Sequence, residues 1–159
     1  MKKTTSPYIV VKKSGIHRKG VFAKKDISED TRVIEYVGER VTHAEADRRT
    51  GSHIYAFILN KRHCIDGDVA YNTAKYINHS CDPNCEVDII RGHIWIIAIR
   101  DIKKGEELNY NYNFEYDEDY KDHPCKCGSK KCVGYILDED DWPKLKRAKK
   151  KRKKKKSTK

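Results

Sequence analysis

Three cysteines in the C-terminal third of the chain are spaced like metal ligands. Cys125, Cys127 and Cys132 lie within eight residues, and Gly128 stands between them. The first two are too close in sequence for a relaxed disulfide, but three thiols in this pattern can converge on one tetrahedral ion. Because glycine suits the tight turn that wraps a metal, the pattern predicts a zinc site rather than free surface thiols.

A structural zinc site takes four ligands, and local spacing does not identify the fourth. The candidates are the remaining three cysteines and one histidine, namely Cys64, Cys81, Cys85 and His123. Six cysteines are enough for three disulfides, but nothing in the sequence indicates an oxidising compartment.

Two further segments are rich in side chains that can bind or react. Residues 78–84, Asn-His-Ser-Cys-Asp-Pro-Asn, place donors, acceptors and a turn in a short stretch, which taken alone favours a capped turn over a binding site. In residues 107–112, strand alternation directs Tyr110 and Tyr112 to one face with Leu108. Taken alone, two tyrosines on one strand face favour core or cross-strand packing over catalysis.

The elements that must position these side chains are mostly short strands. Runs of β-forming residues bounded by turn residues predict strands at residues 8–12, 20–23, 31–37, 55–60, 85–90, 93–100 and 107–112. Arg91 and Gly92 predict a hairpin turn between the fifth and sixth of these strands. The chain has no repeat at a fixed period, which argues against solenoids and propellers.

One helix and one helical turn are also predicted. Thr42-His43-Ala44-Glu45 forms a capping box, in which the Thr42 hydroxyl and the Glu45 carboxylate satisfy each other's free backbone N–H groups. Gly51 supplies the stop for this helix. The helical turn is expected within residues 72–76.

Charge is distributed unevenly along the 159 residues, whose net charge is +11. Residues 144–159 hold twelve basic residues and no acidic one, so residues 1–143 carry 23 basic and 24 acidic side chains, a net charge of −1. The excess positive charge therefore belongs to an appendage and not to a basic face of the fold. The positive charges of this segment repel one another, so we expect it to be disordered. Its role is either contact with DNA or nucleosomes, or localisation or solubility.

The length fits one domain of ordinary size, and a 37% hydrophobic content supports a modest core. No apolar run approaches the roughly 18 residues of a membrane span. The apolar residues 8–11 are far too few for the core of a signal peptide. We therefore expect an intracellular protein that is not secreted through a signal peptide.

The motifs occur in an order that resembles the SET-domain protein lysine methyltransferases with a trithorax-like, zinc-binding post-SET segment. The matching segments, which together cover residues 8–136, are residues 14–23, 35–39, 55–57 with 65–67, 74–81, 105–112 and 125–132. Two positions depart from the family pattern. Arg18 replaces the first glycine of a Gly-x-Gly motif, and Asn111 replaces the usual aspartate between two tyrosines. The loop at Arg18 must then keep an ordinary φ or tolerate strain.

The resemblance implies a mainly β (α+β) fold, in which small sheets form the SET-domain β-clip with a C-terminal pseudoknot. The implied divisions are a SET domain at residues 8–115, a post-SET zinc segment at 116–137, and an acidic, then lysine-rich, disordered tail at 138–159. By the same resemblance Cys81 is the fourth zinc ligand. It joins Cys125, Cys127 and Cys132 around one structural ion, and Cys64 and Cys85 stay unligated.

The resemblance also implies an activity, which is methyl transfer from S-adenosylmethionine to the ε-amine of a protein lysine. Tyr112 is then the catalytic phenol, and the Tyr110 hydroxyl limits the product to mono- and dimethyllysine. The implied cofactor-binding residues are His17, Arg18, Lys19, Gly20, Tyr55, Asn78, His79 and Tyr112. Histones are the leading substrate class, and the expected location is chromatin in a eukaryotic cell, or otherwise the cytoplasm or a host nucleus.

Two alternatives belong to other functional classes. One is a SET-like chromatin or DNA-associating protein with weakened catalysis, in which Arg18 is the damaged position and the basic tail supplies affinity. The other is a zinc-stabilised scaffold that only holds a peptide. Titration with S-adenosylmethionine separates an enzyme from either of them.

Overall fold

The structure is a computed structural model that describes residues 4–49 and 55–148 of the chain. The chain divides into two compact units. The first, here called the sheet unit, consists of Met1–Asn78 and Asn84–Asn109. The second, here called the cysteine unit, consists of His79–Pro83 and Tyr110–Lys159.

Short strands dominate the described residues, as the sequence predicts. They are β1 Ile9–Lys13, β2 Lys19–Ala23, β3 Arg32–Tyr36, β4 Glu39–Thr42, β5 Ala56–Ile58, β6 His63–Asp66, β7 Asn78–His79, β8 Cys85–Ile90, β9 His93–Ala98 and β10 Glu107–Tyr110. They form three small sheets with the strand orders β1-β2-β10-β7, β3-β9-β8 and β4-β6-β5. The expected mainly β fold is therefore confirmed.

The hairpin predicted around Arg91 and Gly92 is present. Strands β8 and β9 pair antiparallel from Cys85 opposite Ala98 to Ile90 opposite His93. Arg91 and Gly92 adopt φ values of +52° and +82°, as a two-residue turn with the twist of its flanking strands requires. Strand β9 ends at Ala98, two residues before the predicted end.

Strand β10 ends at Tyr110, so Tyr112 lies beyond the strand in which the sequence places it. The reason is a change of hydrogen-bond partner. The backbone N–H of Tyr112 donates to Nδ1 of His79 at 3.2 Å instead of to a strand carbonyl.

The third sheet contains two strands, β4 and β6, that hydrophobic periodicity does not predict. They pair antiparallel from Glu39 opposite Asp66 to Thr42 opposite His63. Most of their side chains are polar, and only Val41 and Cys64 join Ala46 in a small apolar cluster. Strand assignment from alternation needs more apolar positions than these segments offer.

The predicted helix is α1, His43–Arg48. Thr42 is its N-cap, and the Thr42 side-chain oxygen accepts the backbone N–H of Glu45 at 3.2 Å. Arg49, with an extended backbone, is the C-cap, and the predicted stop at Gly51 lies outside the described residues. The helical turn expected within residues 72–76 is a 3-10 turn at Ala74–Tyr76.

Apolar side chains without solvent exposure form the core of the sheet unit. Val21 of β2, Ile96 of β9 and Leu108 of β10 each have an exposure of 0%. Leu108 lies opposite Val21 in the antiparallel pairing of β2 and β10. This packing fixes β10, the strand from which the chain continues to Tyr112.

Part of the expected disordered tail is regular. Residues 139–141 form a 3-10 turn, and residues 142–148 are helical. The helix has an apolar side that is not evident from its basic composition. Leu145 is only 2% exposed and follows Trp142 at helical spacing. Residues 149–159 lie outside the described residues, and the three-part domain division as a whole stays a prediction. None of the helices in the described ranges has the length and apolar character that crossing a membrane requires.

Candidate functional site

Four cysteines of the cysteine unit converge as the sequence analysis proposes. The sulfur atoms of Cys81, Cys125, Cys127 and Cys132 all lie within 4.8 Å of one another. The sulfurs of Cys81 and Cys125 are 3.7 Å apart. A tetrahedral ion with Zn–S bonds of about 2.3 Å has ligand–ligand edges of about 3.8 Å, so the donor set fits zinc.

The other candidates for a fourth ligand lie elsewhere. The Cys64 sulfur is 3.2 Å from Nδ1 of His43, and Cys85 is buried as a single thiol. The His123 ring packs edge-on against Phe114, with 5.0 Å between ring centroids. The choice of Cys81, which local spacing leaves open, follows from the fold.

The loop that carries three of the cysteines is shaped by its backbone. Gly128 has a φ of +69°, a conformation that glycine adopts without a side-chain clash. The backbone N–H of Cys127 donates to the Cys125 sulfur at 3.4 Å, and that of Cys132 donates to the Ser129 carbonyl at 3.1 Å. The turn therefore helps to direct the thiols to one point.

The thiols of this cluster differ in acidity. Burial raises the pKa of the Cys81 thiol to about 11. Burial also acts to raise the pKa of Cys127, but hydrogen bonds from the Cys81 backbone, Ser129 and Cys125 outweigh it and lower that pKa to about 6. A coordinated cation deprotonates its thiols. A bound ion would therefore offset the unfavourable free energy of placing four sulfur atoms close together in a partly buried site.

A histidine and two tyrosines form a second constellation in the cysteine unit. The ring of Tyr112 lies 5.4 Å from that of His79 and 4.9 Å from that of Tyr110, measured between centroids. The two phenols thus lie side by side as predicted, although Tyr112 is outside the strand. Tyr110 is 5% exposed, and Tyr112 is half-buried.

His79 is held as a neutral imidazole. Burial lowers the pKa of His79 to about 4. Because Nδ1 accepts the backbone N–H of Tyr112, the single ring proton is on Nε2, which is 3.6 Å from the Cys81 sulfur. One side chain therefore links the tyrosine segment to the cysteine cluster.

The sheet unit contains a network around Asn78, whose side chain is 7% exposed. Its Nδ2 donates to the Lys19 carbonyl at 3.0 Å and to Oε1 of Glu107 at 2.8 Å. Glu107 also accepts the hydroxyl of Ser14 at 2.7 Å. Ser14 and Glu107 were not predicted as site residues. The signal available in the sequence was their position inside two of the matched segments.

The remaining predicted cofactor residues of the sheet unit are placed as follows. His17 and Arg18 are exposed on the loop before β2, and Lys19 is exposed at the start of that strand. The Lys19 ammonium lies 5.0 Å from the Tyr76 ring centroid. Gly20 is buried. The backbone carbonyl of Tyr55 accepts the hydroxyl of Tyr36 at 2.8 Å.

Arg18 has a φ of +34°, in the region that favours glycine. The loop therefore tolerates strain at the position where the family pattern has glycine. Its shape is kept by the backbone, since the N–H of Ser14 donates to the Arg18 carbonyl at 3.2 Å.

Comparison with known families decides the identity of this fold. The sequence matches the family described as SET domain over residues 18–113. The chain belongs to the SET-domain family. This confirms the family and fold expected from the order of the motifs.

Curated relatives of this SET domain are histone-lysine methyltransferases. It is 39% identical over 146 residues to histone-lysine N-methyltransferase trithorax of Drosophila virilis, which covers 86% of this chain and 4% of that protein. It is 38% identical over 134 residues to histone-lysine N-methyltransferase 2D of Homo sapiens, covering 78% of this chain and 2% of that protein. It is 40% identical over 136 residues to the H3 lysine-4 specific histone-lysine N-methyltransferase of Aspergillus oryzae, covering 78% of this chain and 11% of that protein. The chain thus spans only a small part of the length of these relatives.

The predicted site residues of the SET domain fall in both units. The sheet unit holds the loop residues 17–20, Tyr55 and Asn78, whereas the cysteine unit holds His79, the two tyrosines and the four cysteines. Within each unit the structure brings predicted residues together, with Asn78 against the Lys19 backbone and His79 against Tyr112.

Proposed function

We propose that this SET domain transfers methyl groups from S-adenosylmethionine to the ε-amine of a protein lysine. The single observation that carries the proposal is the pairing of the Tyr110 and Tyr112 rings beside the buried His79. The similarity to relatives named histone-lysine N-methyltransferases supports histones as the leading substrate class.

The chemistry explains why phenols rather than a strong base stand here. A lysine with a pKa near 10.4 is almost wholly protonated at neutral pH, and freeing its lone pair costs about 4–5 kcal/mol. When bound, S-adenosylmethionine supplies an electrophilic methyl group on a positively charged sulfur. We propose that the Tyr112 hydroxyl orients the neutral amine toward that methyl group. His79, being neutral, adds no positive charge that would compete with either partner.

The cofactor site proposed here takes residues from four segments. His17 and Arg18 contribute from the loop before β2, Lys19 and Gly20 contribute from the start of that strand, and Tyr55 reaches the amino-acid part. Asn78 and His79 hold the amine and adenine ends, together with Tyr112. The low exposure of Asn78 and His79, 7% and 4%, agrees with residues whose polar groups have specific partners.

The metal proposed for the cysteine cluster is one zinc ion per chain, bound by Cys81, Cys125, Cys127 and Cys132. Four sulfur ligands satisfy tetrahedral zinc and leave no open position, so its role is structural. We propose that it holds the post-SET segment in the form that the catalytic site needs.

The proposed product is mainly mono- and dimethyllysine because of Tyr110. A phenol at this position holds an ordered water or accepts from the amine, and so fills the space that a methylated nitrogen needs to present its lone pair again. Packing is the alternative role, and the burial of Tyr110 at 5% exposure is compatible with both. Mass spectrometry of a methylated peptide separates them, since Tyr110→Phe should shift the product toward trimethyllysine only under the functional role.

The proposed partners are basic proteins, with chromatin of a eukaryotic nucleus as the setting. Residues 144–159 would contact DNA or nucleosomes through their twelve positive charges. Deleting residues 149–159 should weaken DNA binding and flatten its salt dependence while activity on a short peptide is spared. Unchanged DNA affinity would leave only a localisation or solubility role.

A second candidate function is favoured by the strained φ of +34° at Arg18. In this alternative the loop no longer supports cofactor binding, and the protein associates with DNA or chromatin through its basic tail. Isothermal titration with S-adenosylmethionine decides between the two, because only the enzyme binds it.

The experiment that tests the proposed activity is transfer of labelled methyl groups to histones. Tyr112→Phe should abolish most turnover while the fold is retained. Tyr8→Phe is the matched control, since the Tyr8 ring contacts Lys25 and has no proposed catalytic role. Equal transfer by the wild type and by Tyr112→Phe would show that the catalytic assignment is wrong.

A further inference from the structure

Three of the matched sequence segments meet at the carboxylate of Glu107. The Ser14 hydroxyl lies 2.7 and 2.9 Å from its two oxygens, and Nδ2 of Asn78 lies 2.8 Å from Oε1. A Cβ atom at position 20 would overlap Oε1, so glycine there leaves room for the carboxylate. All four residues belong to the sheet unit.

The network determines the orientation of the Asn78 amide. Its Nδ2 is surrounded by three oxygens, at 2.8 Å from Glu107, 3.0 Å from the Lys19 carbonyl and 3.2 Å from the Ser14 hydroxyl. Rotating the amide by 180° would bring Oδ1 against a carboxylate and a carbonyl, which have no hydrogen to give. The amide nitrogen therefore faces the network, and Oδ1 faces away from it.

The Oδ1 atom of Asn78 has unused acceptor capacity. Within residues 4–49 and 55–148, no group donates a hydrogen bond to it, although the residue is only 7% exposed. Among the described residues, the buried side-chain polar atoms without a partner are Oδ1 of Asn72 and Nε1 of Trp142, so Oδ1 of Asn78 is still reached by solvent. A ligand with N–H donors can therefore take the place of water there. The negative charge of Glu107 polarises the amide through the shared N–H, which makes Oδ1 a stronger acceptor for a cation.

We infer that Glu107 and Ser14 are positioning residues, which lock the Asn78 amide so that Oδ1 receives the α-ammonium group of the cofactor. This inference rests on the proposed function. It assigns a role to two residues that bear no proposed contact with the cofactor themselves. The first loop, the Asn78 segment and strand β10 each supply one part of the network.

The test is binding of two ligands, measured by isothermal titration. One is S-adenosylhomocysteine, and the other is its analogue without the α-amine. The wild type should prefer the amine-bearing ligand by about tenfold, the value of one charge-assisted hydrogen bond. Glu107→Gln removes the charge at nearly constant shape, and it should reduce this preference to about threefold or less while binding of the deamino analogue stays unchanged.

Ser14→Ala provides a second variant in case Glu107→Gln disturbs folding, which thermal unfolding of the ligand-free protein reports. It should lower the preference in the same direction by a smaller factor. Glu106→Gln is the matched control, because Glu106 is the neighbouring carboxylate and pairs with Arg100 instead of the network. Its ligand preference should equal that of the wild type.

The outcomes separate the inference from the proposed function. If Glu107→Gln weakens both ligands equally, or neither, the positioning role is wrong, whereas the proposed activity stands as long as the wild type binds S-adenosylhomocysteine and methylates histones. If the wild type binds neither ligand, the proposed function itself fails. The side-chain amide signal of Asn78 in NMR spectra adds a readout independent of activity, and it should shift in Glu107→Gln but not in Glu106→Gln.

Discussion

The two units of this SET domain are stabilised in different ways. In the sheet unit, side chains such as Val21, Ile96 and Leu108 are removed from solvent entirely, and antiparallel pairing holds the strands that carry them. In the cysteine unit, the described apolar core is small and includes Leu137 and Leu145, at 0% and 2% exposure. A unit with so little apolar burial needs another source of stability, and the zinc ion proposed for the four converging thiols would provide it.

Two cysteines that are four residues apart show the same difference at the level of single side chains. Cys81 belongs to the cysteine unit and lies 3.7 Å from the sulfur of Cys125. Cys85 belongs to the sheet unit, where it begins β8 and is 1% exposed. The first lies in a cluster that could hold a metal ion, and the second packs as a small apolar residue, so the surroundings of these two cysteines differ with the unit that contains them.

Metal removal should have the largest effect, and it should act on one unit only. Chelation of the zinc, or Cys127→Ser, should lower methyl transfer by at least about 100-fold, because a structural site of this kind contributes its binding free energy to folding. The β-sheet signal in circular dichroism should persist. Metal analysis should give one zinc per chain for the wild type and for the control Cys64→Ala.

Two results would contradict this prediction. One is two disulfides with no metal in the purified protein, which would assign the cysteines to a different chemistry. The other is loss of zinc from Cys64→Ala, since that thiol is 3.2 Å from His43 and outside the cluster.

Truncating a buried side chain in the sheet unit should have the next largest effect. The cavity that it creates should leave the metal in place. Leu108→Ala removes a fully buried side chain, so the free energy of unfolding should fall by about 2–5 kcal/mol. Urea unfolding measures the loss, and zinc content of the folded protein should stay at one per chain. Ile89→Ala, at a position with 43% exposure, is the control and should change stability by less than about 1 kcal/mol. A similar loss in both variants would mean that burial does not determine stability in this unit.

The buried thiol of Cys85 should make the stability of the sheet unit depend on pH. Burial raises the pKa of Cys85 from 9.0 to about 12, which the charge of Arg100 only partly opposes. The unfolded thiol ionises first, so its contribution is fully present below pH 9 and is lost as the pH rises toward 12, by about 1.4 kcal/mol per pH unit. The measurement is the change in unfolding free energy between pH 8 and pH 10.

Cys85→Ala is the reference for that measurement, because both proteins share every other titrating group. Between the two pH values the wild type should lose about 1.4 kcal/mol more than Cys85→Ala. Equal losses would show that Cys85 is not held as a neutral thiol.

A feature of this fold is predictable from the sequence when the contacts that determine it join residues close together in the chain. The β8–β9 hairpin is set by Arg91 and Gly92 between two β-rich runs, so a local pattern finds it. The start of α1 is set by Thr42 and Glu45 in the same way. The contact between Ser14 and Glu107 joins residues 93 positions apart, and no local pattern reports such a pair.

Two other features are not evident from the amino-acid composition of their segments. The strands β4 and β6 have few apolar residues, so their pairing is decided by neighbours in the sheet instead of by their own periodicity. The helix at residues 142–148 is basic, and a single buried residue, Leu145, anchors it. For the cysteine cluster, three ligands follow from local spacing, while the fourth depends on the chain folding back to Cys81.

The smallest effect on stability is expected at Arg18 in the sheet unit, because a substitution there changes backbone strain and not burial. A non-glycine residue in the left-handed region costs roughly 1–2 kcal/mol, and glycine at the same place loses about 0.5–1 kcal/mol through the greater freedom of the unfolded chain. With φ at +34°, Arg18→Gly should therefore raise the free energy of unfolding by up to about 1 kcal/mol. Thermal unfolding measures this gain, and Lys13→Gly in strand β1 is the control. That variant removes an exposed basic residue from ordinary strand backbone, so it should lose stability by about 0.5–1 kcal/mol. If both glycine variants are destabilised alike, the loop before β2 carries no strain at Arg18, and the second candidate function loses the observation that favours it.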